Sequence, residues 1–136
     1  MELSTEVYQR IVAAKLFIDG HYGEPVGLGQ IATEACLSRF HFHRLFTRIY
    51  KRTPHQYLTQ KRMDAARRLL QRDDMTISEV CRQAGFESPG SFSSLFRRNT
   101  GCSPQHYRKL VFLKRKLVEE QPKSFVPHCF VEQYRL

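Results

Sequence analysis

Apolar residues recur along this chain at helical spacing. Phe42, Leu45, Phe46 and Ile49 stand at i, i+3, i+4 and i+7, which is one buried stripe of a helix. Phe92, Leu95 and Phe96 repeat the stripe, with the uncharged Asn99 in the fourth place. Val7, Ile11, Ala14 and Ile18 predict a leading helix over about residues 5–19, stopped by Gly20. Tyr57, Leu58, Ala65, Ala66, Leu69 and Leu70 give a broad apolar face over about residues 54–72, without Gly or an inner Pro, so this helix should be continuous and stiff. No segment sustains the period-two alternation of a half-buried strand. The pattern predicts an all-α fold with no sheet.

Start and stop signals agree. Thr76-Ile77-Ser78-Glu79 and Thr53-Pro54-His55-Gln56 are capping boxes, in which the threonine hydroxyl and the fourth residue's side chain each satisfy an unpaired amide. Ser38, Ser88 and Ser103 stand before helical stripes, and Pro54, Pro89 and Pro104 occupy first-turn positions where a missing N–H costs nothing. Gly85 follows the short helix 77–84 and suits a left-handed cap. The helix begun at Ser103-Pro104 can continue to Glu120.

The residue types also repeat. Ser38, Phe42, Leu45, Phe46, Thr53, Pro54 and Tyr57 match Ser88, Phe92, Leu95, Phe96, Ser103, Pro104 and Tyr107 at a fixed offset. Upstream, Leu28, Ile31, Ala32 and Ala35 match Ile77, Val80, Cys81 and Ala84 at an offset one residue shorter, so the second copy carries an extra residue around Gly85-Phe86. Two copies are too few for a solenoid. They describe a pseudo-symmetric domain over residues 1–109: a helix-turn-helix unit at about 5–53, a linker helix at about 54–72, and a second unit at about 76–109. Residues 110–136 form a C-terminal extension.

Charge adds a destination. The 136 residues carry 22 Lys+Arg against 13 Asp+Glu, a formal net charge of +9. The length allows one domain, or two small ones sharing a core, and no barrel or two-lobed enzyme. Ten bases face one acid in residues 39–72, and seven bases stand without an acid in residues 89–116. Two interior basic blocks, each preceded by an acidic segment, suggest two basic surfaces on a folded body. Nucleic acid is the first partner such a balance suggests, ahead of an acidic membrane surface or an acidic protein. No apolar run reaches membrane-spanning length, and Met1–Arg10 lacks the character of a secretory leader, so a cytoplasmic location is expected.

A short helix, a tight turn and a second capped helix is the plan that places its second helix in the DNA major groove. In the first unit the buried stripe leaves Arg39, Phe40, His43, Arg44, Thr47 and Arg48 outward. Arg44 can pair bidentately with guanine O6 and N7, and an exposed Phe40 can pack on a thymine methyl. The alternative for Phe40 is to fold back on the core or on Phe17. Arg39 and Arg48 suit phosphates, with Thr47 a secondary contact.

The run Ile77-Ser78-Glu79-Val80-Cys81-Arg82-Gln83-Ala84-Gly85-Phe86, followed by Ser91-Phe92, Phe96-Arg97-Arg98, Gly101-Cys102-Ser103-Pro104 and Tyr107-Arg108, resembles the AraC/XylS family DNA-binding domain. The resemblance covers about residues 26–108. It implies a transcriptional regulator, usually an activator, with recognition helices in successive major-groove segments. It is similar in architecture to stand-alone members, which lack a sensor domain and bind double-stranded DNA as monomers; RNA polymerase is the implied protein partner. In those members the base-reading positions fall on Phe40, His43 and Arg44 here. Two departures stand out. Lys51 occupies the place of Gly101, which suggests a different exit turn. The contact positions of the second recognition helix hold Pro89, Gly90, Ser93 and Ser94, too short to span to base edges. The second unit is therefore expected to grip the backbone through Ser91, Ser93, Arg97, Arg98 and Arg108, with Ser94 a secondary contact.

Other chemistry finds little support. Cys36, Cys81, Cys102 and Cys129 lack zinc-ligand spacing, and Cys36 and Cys81 suit small core positions. His41 and His43 do not share a helix face. No nucleophile motif or phosphate loop is visible, so no enzyme, metal or cofactor is expected. The apolar run Phe125–Val131 is expected to fold back over a groove, a partner or dimer contact being the alternative. The alternative function is a protein-interaction module that binds RNA polymerase or another regulator, with weak DNA binding of its own.

Overall fold

Serine or threonine begins every helix but one. The computed structural model describes residues 2–128, arranged as α1 (Thr5–His21), α2 (Leu28–Glu34), α3 (Arg39–Tyr50), α4 (Pro54–Leu70), α5 (Ile77–Ala84), α6 (Pro89–Thr100) and α7 (Pro104–Glu120), followed by a 3₁₀ turn at Pro122–Phe125. Ser4, Ser38, Thr53, Thr76, Ser88 and Ser103 each accept a first-turn amide, and Thr53 and Thr76 complete full capping boxes with Gln56 and Glu79. Only α2, opened by Gly27, lacks a side-chain cap. Among the described residues there is no strand, and the fold is all-α as the pattern predicts.

The apolar stripes build two cores. The first joins Ile11, Ala14 and Ile18 of α1 to Ile31, Ala32, Phe42, Leu45, Phe46 and Leu58. The second joins Met63, Ala65, Ala66 and Leu70 to Val80, Cys81, Ala84, Phe92 and Phe96. α4 thus gives its first half to one core and its second half to the other. The duplication survives in ring geometry. Phe42–Phe46 and Phe92–Phe96 centroids lie 5.5 and 5.6 Å apart, and Tyr57 and Tyr107 meet Phe46 and Phe96 edge-on at 5.6 and 5.4 Å.

The turns repeat more faithfully than their residues. Among the described residues four take positive φ, and they fall into two equivalent pairs: Cys36 (54°) with Gly85 (99°), and Lys51 (60°) with Gly101 (90°). Leu37 N–H donates to Ala32 O and Phe86 N–H to Cys81 O, the same closure in both units. Glu87, between Phe86 and the Ser88 cap, is therefore the extra residue of the second copy. Lys51 does not change the exit from α3: its N–H donates to Thr47 O at 2.9 Å, as Gly101 N–H donates to Arg97 O at 2.8 Å. The departure at Lys51 is one of residue, not of path. Cys36, expected in the core, is exposed because the left-handed turn carries it outward, whereas Cys81 is buried.

α1 does not stop at Gly20. His21 Nδ1–H donates to Phe17 O at 2.9 Å and its ring stacks on Phe17 at 4.2 Å, which holds the last turn helical. α1 is then tied to α4 through Asp19. The Tyr57 hydroxyl donates to it at 2.6 Å, with Lys15 at 2.8 Å and Lys61 at 3.4 Å. Burial raises the Asp19 carboxyl pKa, but the Lys15 and Tyr57 hydrogen bonds and the two charges outweigh it and leave it below the usual value. Burial, with the bond to Asp19, pushes the Tyr57 hydroxyl up to about 12.

As far as residue 128, the extension consists of the later part of α7 and the 3₁₀ turn. Leu110, Leu113, Leu117 and Val118 are exposed, as are Phe125 and Val126. The expected fold-back is not seen as far as residue 128; the part of that run from Cys129 to Val131 lies outside the described residues.

Two outcomes follow from the turns and from Asp19. Lys51→Gly removes left-handed strain and raises stability by about 0.5–1 kcal/mol, read from denaturant midpoints. The folded Tyr57 value lies above its ordinary 10.0, so its contribution is complete below that pH and is lost as pH climbs towards about 12. Tyr57→Phe should lack this alkaline slope, which melting temperatures at about pH 9 and about pH 11.5 will reveal.

Candidate nucleic-acid interface

A recognition helix needs one face anchored and the other free. α3 meets this through Phe42, Leu45 and Phe46, which hold one side in the first core. The opposite side then carries Arg39, Phe40, His43, Arg44 and Arg48, all exposed, with Thr47 half-buried. Phe40 is 89% exposed, so it folds neither onto the core nor onto Phe17. Leaving a phenyl ring in water forfeits about 2 kcal/mol of burial. Leu28, Arg39, Phe40 and His43 border an apolar hollow of about 500 Å³, open to solvent at the start of α3. Arg39 lies alongside Gly29 of α2, its Cδ and Nε 3.8 Å from where a Cβ on that glycine would stand. The Thr47 hydroxyl donates to His43 O at 2.7 Å, so its donor is used within the helix and its lone pairs face out.

α6 is built the same way from Phe92 and Phe96, with a looser seat: Leu95 is half-buried where Leu45 is buried. Its outer side offers Ser91, Ser94, Arg97 and Arg98, all exposed, and the half-buried Ser93. Pro89 and Gly90 open the helix without polar side chains. The base-side surface of α6 is thus short and hydroxyl-bearing, and its reach comes from two arginines in the last turn.

Arg108 does not join them. Its Nε donates to Leu70 O at 3.1 Å, and its Nη2 is buried without a hydrogen-bond partner. The guanidinium caps the C-terminal end of α4, where the helix dipole favours a cation. It is a structural tie between α7 and α4.

The first basic block divides similarly. Lys61 pairs with Asp19, Arg62 bonds the Tyr22 and Glu24 carbonyls, Arg67 bonds Asp64 and Asn99, Arg68 reaches the Tyr22 hydroxyl, and Arg72 pairs with Asp74. The α4 half of the block holds the protein together. The outward charge of the first unit therefore belongs to α3 and its exit turn. Arg67–Asp64 and Arg72–Asp74 are local pairs, but the bonds of Lys61, Arg62 and Arg68, and that of Arg67 to Asn99, span 32 to 46 residues and carry no local signal in the sequence.

No described group of three or more His, Cys, Asp or Glu is arranged to hold a metal, and no described helix is long and apolar enough to cross a membrane.

Comparison with known proteins agrees with this geometry. The family described as "Helix-turn-helix domain" matches residues 31–110. A probable transcriptional regulator, LumQ of Photobacterium leiognathi, is 35% identical over 92 residues, covering 68% of this chain and 37% of the relative. The transcriptional activator RhaS of Salmonella arizonae is 30% identical over 109 residues, covering 80% of this chain and 39% of the relative. The chain spans well under half the length of these curated relatives. The DNA-binding domain of AdpA, solved in complex with a target DNA, superposes with a TM-score of 0.70 at 29% identity, covering 83% of this chain and 96% of that one.

Arg108→Ala should lower stability by about 1–2 kcal/mol, the scale of a charged hydrogen bond. The salt dependence of DNA binding should be unchanged, as titrations at several salt concentrations can check.

Proposed function

This chain belongs to the AraC-type family of helix-turn-helix transcriptional regulators, and from that premise we propose that it is a cytoplasmic, sequence-specific DNA-binding regulator that activates transcription. It binds double-stranded DNA as a monomer, with α3 and α6 in successive major-groove segments on one face of the duplex, and contacts RNA polymerase from there. The observation that carries this reading is the exposed edge of α3, where Phe40, His43 and Arg44 project beside a solvated apolar hollow. A fully exposed phenyl ring is costly in water and useful against a thymine methyl. The DNA complex of AdpA and the activator role in the name of RhaS support the same reading.

The two helices divide the work. Arg44 reads guanine, Phe40 and His43 read neighbouring bases, and Arg39 and Arg48 hold phosphates. On α6 the short Ser91, Ser93 and Ser94, with Arg97 and Arg98, grip the backbone and follow groove shape.

One observation favours a second reading. The second half of α7 exposes Leu110, Leu113 and Leu117 beside Lys109, Lys114 and Lys116, an apolar and basic surface remote from any base-reading role. A module that binds RNA polymerase or another regulator, with weak DNA binding of its own, could use it.

Selection from random DNA, with footprinting, tests the proposal. A sharp consensus under α3 and a weak, shape-like preference under α6 are expected; equally sharp half-sites would overturn the division of labour. The log–log salt slope should be near −0.9 per phosphate neutralised, and a slope near zero would favour the interaction module. Arg44→Ala should cost about 1–3 kcal/mol and relax preference at one position.

A further inference from the structure

Each recognition helix is seated in its own core, so the distance and angle between them depend on how the two units are joined. α4 runs through both, but a single shared helix leaves each unit room to rock about its axis. A lateral contact closes that freedom. The loop after α1, in the first unit, rests on the turn between α5 and α6 in the second. Gly23 and Gly85 meet there backbone to backbone. A Cβ on Gly85 would lie 3.1 Å from Gly23 Cα and 2.8 Å from Arg62 Nε, and would overlap the Tyr22 carbonyl oxygen. A Cβ on Gly23 would lie 3.1 Å from Gln83 O of α5.

Arg62 of α4 clasps this junction. Its Nε donates to Tyr22 O at 2.7 Å and its Nη2 to Glu24 O at 3.0 Å. The planar fork holds two carbonyls of one loop in a fixed relation, which a flexible ammonium cannot do. Burial lowers the guanidinium pKa, and the charge of Glu87 acts to raise it. Glu87 is the residue by which the second turn exceeds the first. Tyr22 packs against both cores and takes a further bond from Arg68 at 3.3 Å.

We infer that Arg62, acting through the Gly23–Gly85 contact, is a positioning residue that fixes the spacing and phase at which the protein accepts its two half-sites. The inference rests on the proposal that both α3 and α6 enter the groove. Its physical basis is a difference of scale. One base pair moves the groove by about 3.4 Å along the duplex and about a tenth of a turn around it. The Gly23–Gly85 contact has no slack of that size, so the intact protein should tolerate one spacing alone.

The experiment uses the full chain and duplexes built from the site that the wild-type protein selects from random DNA. One duplex keeps the selected spacing, two others carry one base pair more or fewer between the half-sites, and a fourth carries the α3 half-site alone. Wild type should lose roughly tenfold or more on either altered spacing, the scale of one badly placed base pair. Arg62→Lys and Arg62→Gln, each checked for fold by circular dichroism and melting, should bind the selected spacing roughly tenfold more weakly. They should also bind the three spacings within about threefold of one another and keep wild-type affinity for the single half-site. If Arg62→Lys fails to fold, Arg62→Gln carries the same comparison, because its shorter, uncharged amide cannot bridge the Tyr22 and Glu24 carbonyls. Wild-type discrimination between spacings in a folded variant would overturn the inference. So would an equal loss on the single half-site, which would mark a purely structural role. A wild-type footprint limited to one half-site would overturn the two-helix proposal, and the inference with it. The first two failures leave that proposal standing.

Discussion

The sharing of α4 between two cores is the constraint on which the rest of the molecule depends. A unit of α2, a turn and α3 has too few residues to bury a core alone. The first unit solves this by adding α1 and the first half of α4, and the second by adding the other half of α4 and the start of α7. Neither solution is complete without a helix that the other also uses. Leu58 serves one core, Met63 and Leu70 the other, and the helix between them contains no residue that would let it bend. The bases on the outside of α4 follow from this. A helix flanked by both units meets carbonyls and carboxylates, and long cationic side chains are the means of reaching them, at 2.5–3.4 Å.

The duplication shows which features of the unit are obligatory. The serine caps of α3 and α6, the buried phenylalanines and the edge-on tyrosine persist in both copies because each satisfies a local requirement of the unit, whereas the capping box of α5 has no counterpart on α2. Glycine at the left-handed positions does not persist. Cys36 and Lys51 accept the same backbone as Gly85 and Gly101 because solvent surrounds them, and the cost is about 1–2 kcal/mol of strain each. Gly85 differs because another chain segment lies against it. Gly85 is held by packing and by φ together, whereas Gly101, with open space where a Cβ would stand, is held by φ alone.

The same distinction decides what the sequence could reveal. Helix positions, caps, the repeat and the outward set on α3 were legible because each is written within a turn or two of chain. Gly20 misled because the compensating Phe17–His21 stack is a side-chain event that propensity does not contain. The charge blocks misled for a deeper reason. A run of bases looks the same whether it faces a phosphate or a carbonyl 40 residues away, so the internal bonds of Arg62, Arg67, Arg68 and Arg108 could not be told from an outward basic face. The Arg62 signal was present only in pieces: a basic residue in α4, a glycine after α1, and a glycine-bearing turn with one extra acid.

Removing those ties from the basic surface changes the electrostatic picture of the proposed complex. Net charge alone would allow non-specific binding through many phosphates. With half of the first block engaged by carbonyls, carboxylates and a hydroxyl of the protein itself, less of its charge is available to phosphates, and on the two recognition helices the cations sit on α3, its exit turn and the last turn of α6. Fewer phosphate contacts mean a shallower salt slope and a smaller non-specific share of the affinity. Base contacts at the exposed edge of α3 then carry more of the total, and their value depends on α3 being held at one angle while α6 anchors the far side. A protein that reads with one helix and grips with the other needs a stiff connection more than one that reads with both, because the gripping helix has no sequence to correct its register. In the proposed complex, the two-bond clasp beside the Gly23–Gly85 contact supplies that stiffness where the first unit's loop meets the second unit's turn.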